Sequence, residues 1–159
     1  MQIREADASD LPGLTELTIR AFRPLFEEHW PALLHPTVFS HDHGQWEAAY
    51  RVEVPALHDP DKDRFVTLAE EDGQLLGYVG WHIAKPGSGR LQLVAVDPEA
   101  RRRGVGRALC QVAIDELRAR DVVVVHVGTG GDPFHEPARR LYESLGFSGM
   151  PVMDYTQAL

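Results

Sequence analysis

The tightest constraint in this sequence is the run Arg101-Arg102-Arg103-Gly104-Val105-Gly106. It joins an apolar segment, Leu91 to Val96, to a long helical pattern from Arg107 to Arg120. The breaker Asp97-Pro98 stands before the run, so the order is strand, basic loop, glycine turn, helix. Glycines let a backbone turn sharply and approach a ligand closely. The first N–H groups of a helix have no partner within it, and with the helix dipole they attract anions. Three adjacent arginines then suggest a ligand with phosphates. Two known phosphate loops do not fit. The Gly-x-Gly-x-x-Gly fingerprint would need glycine at Leu109 and glycines directly after the strand. No stretch matches Gly-x-x-x-x-Gly-Lys-Ser/Thr. The remaining rival is a solvated basic turn that opens an ordinary helix.

The ligand is not expected to be a nucleic acid, because the 159 residues carry a net charge of −8, whereas nucleic-acid binding favours a basic surface. An acidic surface instead suits a cationic partner such as an amine. The length suggests a single domain over residues 1–159. One cysteine, Cys110, allows no disulfide within the chain, which fits a reducing cytoplasm. The charged opening, Met1 to Asp7, has no apolar core of a signal peptide. No apolar run approaches the ~20 residues of a membrane span.

Gln2 to Glu5 is expected as a first strand, with Ser9-Asp10 capping a helix from Leu11 to about Phe22. Arg23 to Asp63, rich in Pro, His and aromatics, has little pattern; a helix within Gln45 to Leu57 is expected. Arg64 to Ala69 and Leu75 to Ile83 form a hairpin around Asp72-Gly73. Arg90 to Val96 is the fourth strand. In the following helix Val105, Ala108, Leu109, Val112 and Ala113 share one face. Val122 to Val127 is expected as a central strand buried on both faces. Gly128 to Phe134 is a loop, Pro137 opens a helix, and Val152 to Thr156 is a final strand. The fold class is α/β (α+β), a mixed, mainly antiparallel sheet flanked by helices.

The helix from Ala138 to Leu145 ends at Gly146-Phe147. This stretch and the glycine turn together resemble the GCN5-related N-acetyltransferase (GNAT) family. Its coenzyme A motif, Arg/Gln-x-x-Gly-x-Gly/Ala, is matched by Arg101, Gly104 and Gly106. Its later motif, Ala-x-x-x-Tyr-x-x-x-Gly-Phe, is matched by Ala138, Tyr142, Gly146 and Phe147. The opening Ile3 to Leu14 is similar to the family's start. The resemblance implies that the fourth and fifth strands splay apart and that the pantetheine arm enters between them. It implies acetyl-CoA as cosubstrate, with the pyrophosphate on backbone N–H groups of Arg102, Arg103, Gly104, Val105, Gly106 and Arg107 and charge from the arginines, Arg101 included. Val94, Ala95 and Val96 would pair with pantetheine like an added strand, and one N–H would steady the oxyanion. An acceptor amine would attack directly, with Tyr142 as acid to the leaving thiolate.

Two positions depart from the family. His135 stands where an asparagine often bonds pantetheine, and Gln92 where many members carry a glutamate base. His126, at the end of the fifth strand, is the leading candidate base, then His82, since imidazole exchanges protons near neutral pH. For each, a satisfied structural histidine is the leading reading and the base the alternative. His41-Asp42-His43 has metal-ligand residue types without a partner cluster, and no metal is expected. Cys110 fits a small buried hydrophobe. The expected partner is an amine acceptor, small molecule or peptide; a homodimer is compatible. The alternative is an acyl-CoA-binding or sensing module of the same fold, and a third reading, a nucleotide-binding protein, rests on the glycines alone.

Overall fold

The computed structural model describes all 159 residues. In order it holds β1 (Gln2–Glu5), α1 (Leu11–Pro24), a π-helical turn (Leu25–His29), α2 (Trp30–Leu33), α3 (Pro36–His43) and α4 (Trp46–Glu53). Then come β2 (Arg64–Glu71), β3 (Gln74–Lys85), β4 (Ser88–Val96), α5 (Val105–Ala119), β5 (Val124–His126) and α6 (Glu136–Ser144). The sheet runs β1-β2-β3-β4-β5. The first three pairings are antiparallel and β4–β5 is parallel, as the mixed, mainly antiparallel expectation requires. No helix is long and apolar enough to cross a membrane.

Local chemistry explains the best-read part. Asp72 and Gly73 have φ of 51° and 77°, the paired left-handed residues of a tight hairpin turn. The sheet then buries both faces. Val66, Leu68, Tyr78 and Ala95 pack with Leu14, Leu17 and Ala21 of α1, and the Tyr78 hydroxyl meets Thr18 Oγ1 at 2.6 Å inside that layer. Leu76, Val79, Trp81 and Leu91 pack with Leu109, Cys110, Ala113 and Leu117 of α5. Burial pushes the Cys110 thiol up to about 12, so it stays a neutral core group.

Four expectations are corrected. Val122–Val127 is not a central strand: only Val124 to His126 is paired, at the sheet edge, and Val123 is 85% exposed. An unbroken apolar run has no period to show which residues face the core, and here Val122 alone is fully buried. The expected final strand, Val152 to Thr156, has no partner and lies exposed, so nothing covers the outer side of β5. Asp10 does not cap α1 with its side chain; its carboxylate instead accepts from Arg4 and from the Asp7 N–H. Finally, Arg23 to Asp63 is mostly helical. Pro24 closes α1, and because it has no N–H to donate the ladder widens after it, Trp30 N–H reaching the Leu25 carbonyl.

Candidate active site

A cleft of about 750 Å³ opens where β4 loses its neighbour. β5 pairs with β4 only at Ser88, Gly89 and Arg90, so the cleft side of Leu93 to Val96 has no strand partner. The sheet itself marks the place. Val79 pairs with Val94 and Gly80 with Gln92, which leaves Leu93 bulged out at φ 57°. A leucine in the left-handed region is strained, and such residues collect at functional sites. The bulge re-aims β4, and Leu93, Val94, Ala95 and Val96 all line the cleft.

At one end lies the glycine turn. Asp97 accepts from the Glu99 N–H and pairs with Arg20 at 2.7 Å, which fixes the exit from β4. Arg102 at φ 61° and Gly104 at φ 79° then reverse the chain. Gly104 is the N-cap of α5 and places no side chain on its free N–H groups. The first turn of a four-turn helix is thereby open to an anionic ligand, which fits the phosphates of a nucleotide-bearing cofactor. Gly106 is needed for packing: an added Cβ would meet Leu141 Cδ2 at 3.3 Å and Val96 Cγ2 at 3.5 Å. At Gly104 an added Cβ meets nothing within 4 Å, so its constraint is backbone conformation alone. Gly104→Val should therefore cost about 1–3 kcal/mol, while Gly104→Asn, a residue that tolerates φ > 0, should lose clearly less. Urea midpoints of the two variants decide this; equal losses would mean that space, not φ, is limiting.

The arginine side chains do other work as well. Arg101 donates to the Ala21 carbonyl at 2.9 Å, Arg103 pairs with Glu71, and Arg107 donates to the carbonyl and hydroxyl of Ser144. These contacts tie the turn to α1, to the β2–β3 hairpin and to α6. Arg101, Arg102 and Arg107 line the cleft and Arg103 does not.

Tyr142 stands across from β4. It is 8% exposed, lines the cleft, and its ring meets Phe147 edge-on at 5.9 Å. Burial, with a smaller contribution from Cys110, pushes its hydroxyl well above the usual tyrosine range. It is thus a donor at any working pH.

His135 also reaches the cleft. Its Nδ1 lies 2.6 Å from Asp132 Oδ2, with the two side chains only 15% and 12% exposed. Burial alone would raise the Asp132 carboxyl, but the hydrogen bond and charge of His135 outweigh it and hold the group below its ordinary value. Asp132 also accepts from the Phe134 N–H, and Arg139 bonds the Gly130 and Asp132 carbonyls at 2.6 and 2.8 Å. This is a braced Asp–His pair, the arrangement that fixes a histidine's orientation for proton transfer. The residues were readable separately; the one sequence signal for their pairing was Asp132-Pro133, a cap followed by a first-turn proline.

The other candidates lie elsewhere. His126 is exposed on edge strand β5, beside Arg90, and neither it, Gln92 nor His82 lines the cleft. His41 and Asp42 bond each other at 2.7 Å on the surface. His43 packs on Phe26 and Trp30, and no group of three or more potential ligands is close enough to hold a metal ion.

Residues 14–147 match the family model described as "Acetyltransferase (GNAT) family". A mycothiol acetyltransferase of Acidothermus cellulolyticus is 34% identical over 169 residues, covering 92% of this chain and 50% of its own. Another, of Thermobispora bispora, is 36% identical over 155 residues, covering 89% and 50%. The chain spans about half the length of these curated relatives. Among solved structures, a probable acetyltransferase superposes with a TM-score of 0.68 at 23% identity, over 100% of this chain and 98% of that one. A predicted acetyltransferase of Clostridium acetobutylicum, solved with acetyl-CoA, gives 0.63 at 17% identity, over 98% and 95%. These two share the fold.

Proposed function

Since the chain belongs to the GNAT acetyltransferase family, we propose that it transfers an acetyl group from acetyl-CoA to a primary amine. One observation carries this reading. The uncapped start of α5, the unpartnered stretch of β4 and Tyr142 all open into the same cleft.

Bound acetyl-CoA would supply the acyl group as an activated thioester. The chain's own residues would do the rest. Backbone N–H groups from Arg102 to Arg107 hold phosphate oxygens, with Arg101, Arg102 and Arg107 adding charge. The free edge of Val94 to Val96 holds an extended amide chain and offers an N–H to a developing oxyanion. Tyr142 gives a proton, or a strong hydrogen bond, to a leaving sulfur. Of the histidines, His135 serves as the base in place of His126, because it lines the cleft and is held by Asp132. It thereby fills the role left vacant by Gln92.

The test has two readouts. Acetyl-CoA should raise the melting temperature while NAD and ATP do not, since binding only the folded state stabilises it by about 2.7 kcal/mol at a hundredfold excess over Kd. Free thiol should then appear only when an amine is also present. A flat melting temperature at millimolar acetyl-CoA would remove the basis of the proposal.

A further inference from the structure

Part of the cleft is built from rings. Phe22 comes from α1, Trp30 from α2, Tyr50 from α4 and Phe134 from the turn before α6, and all four line the cleft. They form a connected wall. Phe22 lies 5.7 Å from Tyr50 and 6.2 Å from Phe134, and Trp30 lies 6.5 Å from His135. Burial holds the Tyr50 hydroxyl far above its usual range, so this wall carries no negative charge.

The carboxylates tell the same story. No aspartate or glutamate lines the cleft, and 16 of its 25 lining residues are hydrophobic. Of the acidic groups outside it, Glu27 and Glu47 pair with Arg23, Glu16 with Arg51, Asp97 with Arg20 and Asp132 with His135, while Glu53, which acts on the Tyr50 hydroxyl, does not line the cleft. A polycation entering here would give up water at several charges and meet no counter-charge, a heavy desolvation cost. A sugar amine would strand its hydroxyls against rings. A single ammonium on a flat apolar body meets neither difficulty. Its body stacks on the wall, its charge lies over ring faces, and its proton has His135 to accept it.

Resting on the acetyl-transfer reading above, we propose that the acceptor is a monoamine with an aromatic body, of the arylalkylamine class, seated against Phe22, Trp30, Tyr50 and Phe134. The acidic net charge of the chain then acts at long range, drawing a cation toward a cleft whose aromatic wall is itself uncharged.

The experiment compares 2-phenylethylamine with spermidine, kanamycin and glucosamine, by thiol release with saturating acetyl-CoA and by calorimetric titration of each amine into the acetyl-CoA-free protein. The aromatic amine should exceed each of the others in kcat/KM by at least about 100-fold, the range a few lost apolar contacts produce, and it alone should bind measurably without the cosubstrate. Phe134→Leu and Trp30→Ala should each raise its KM about tenfold or more, while the acetyl-CoA melting shift, which also reports folding, stays as in wild type. Spermidine, kanamycin or glucosamine turning over as well as 2-phenylethylamine would overturn the acceptor class and leave acetyl transfer standing. The same holds if 2-phenylethylamine neither binds nor reacts although acetyl-CoA binds. Loss of the acetyl-CoA shift itself in wild type would instead defeat the underlying reading, and this proposal with it.

Discussion

Tyr142→Phe should fold, bind acetyl-CoA as tightly as the wild type, and turn over about 10²–10⁴ times more slowly, the usual contribution of a positioned acid. The exchange removes one oxygen and leaves the ring in place against Phe147, so packing is kept. The phosphates are expected at the start of α5, on backbone N–H groups that the tyrosine hydroxyl does not form part of, so affinity is kept too. What is lost is a proton or hydrogen bond at the leaving sulfur, which exists only as the bond to carbon breaks. The loss therefore belongs to kcat rather than KM. Burial makes Tyr142 a weaker acid than tyrosine in water, yet a thiolate formed in the same place loses its solvation as well and becomes a stronger base. Steady-state kinetics beside an acetyl-CoA titration reads the outcome. A kcat within about threefold of wild type, far short of the general-acid range, would reduce Tyr142 to packing.

His135→Asn should separate two roles that one residue could hold. Asparagine keeps a side-chain donor for a bound amide, so acetyl-CoA affinity should hold. It takes up no proton near neutral pH, so kcat/KM for the amine should fall by about 10²-fold or more. Asp132→Asn should act in the same direction and less strongly, because it removes the partner that orients the imidazole (2.6 Å) and leaves the imidazole itself. Both variants are read by amine kinetics against the acetyl-CoA melting shift. Retained turnover in His135→Asn would make His135 a cofactor contact only. A parallel loss of acetyl-CoA affinity in Asp132→Asn would mean that the pair merely supports the fold of the turn from Gly130 to His135.

What could be read in the sequence was what local signals specify. The Asp72-Gly73 hairpin, the strand–glycine–helix passage through Gly104 and the apolar face of α5 are set by backbone preference and period, and they appear where expected. Tyr142 was singled out only because Ala138 to Phe147 resembles a family motif; its helix alone would have made it a packing residue. The rest depends on distant partners. Nothing in a leucine announces the left-handed bulge at Leu93, which the β3 register imposes. The partners of Arg101, Arg103 and Arg107 lie 80, 32 and 37 residues away. The aromatic wall is assembled from four segments that carry no shared pattern. Val122 to Val127 misled because apolar composition signals a strand but not its neighbours, and the tail that would have made it central remains apart.

The π-helical turn from Leu25 to His29 has a consequence for how such a chain can change over generations. It holds one residue more than an α-helical turn would, directly ahead of Trp30. Each residue of an α-helix advances the face by about 100°. Dropping a single codon here would restore the ordinary repeat, and because the wide turn already takes up the extra residue, Trp30 downstream and Phe22 upstream would both keep their facing. The sheet and the start of α5 would not register the event. Insertion or deletion of one residue, usually ruinous within a helix, is at this position a small and local step, and it falls directly ahead of a residue that lines the cleft.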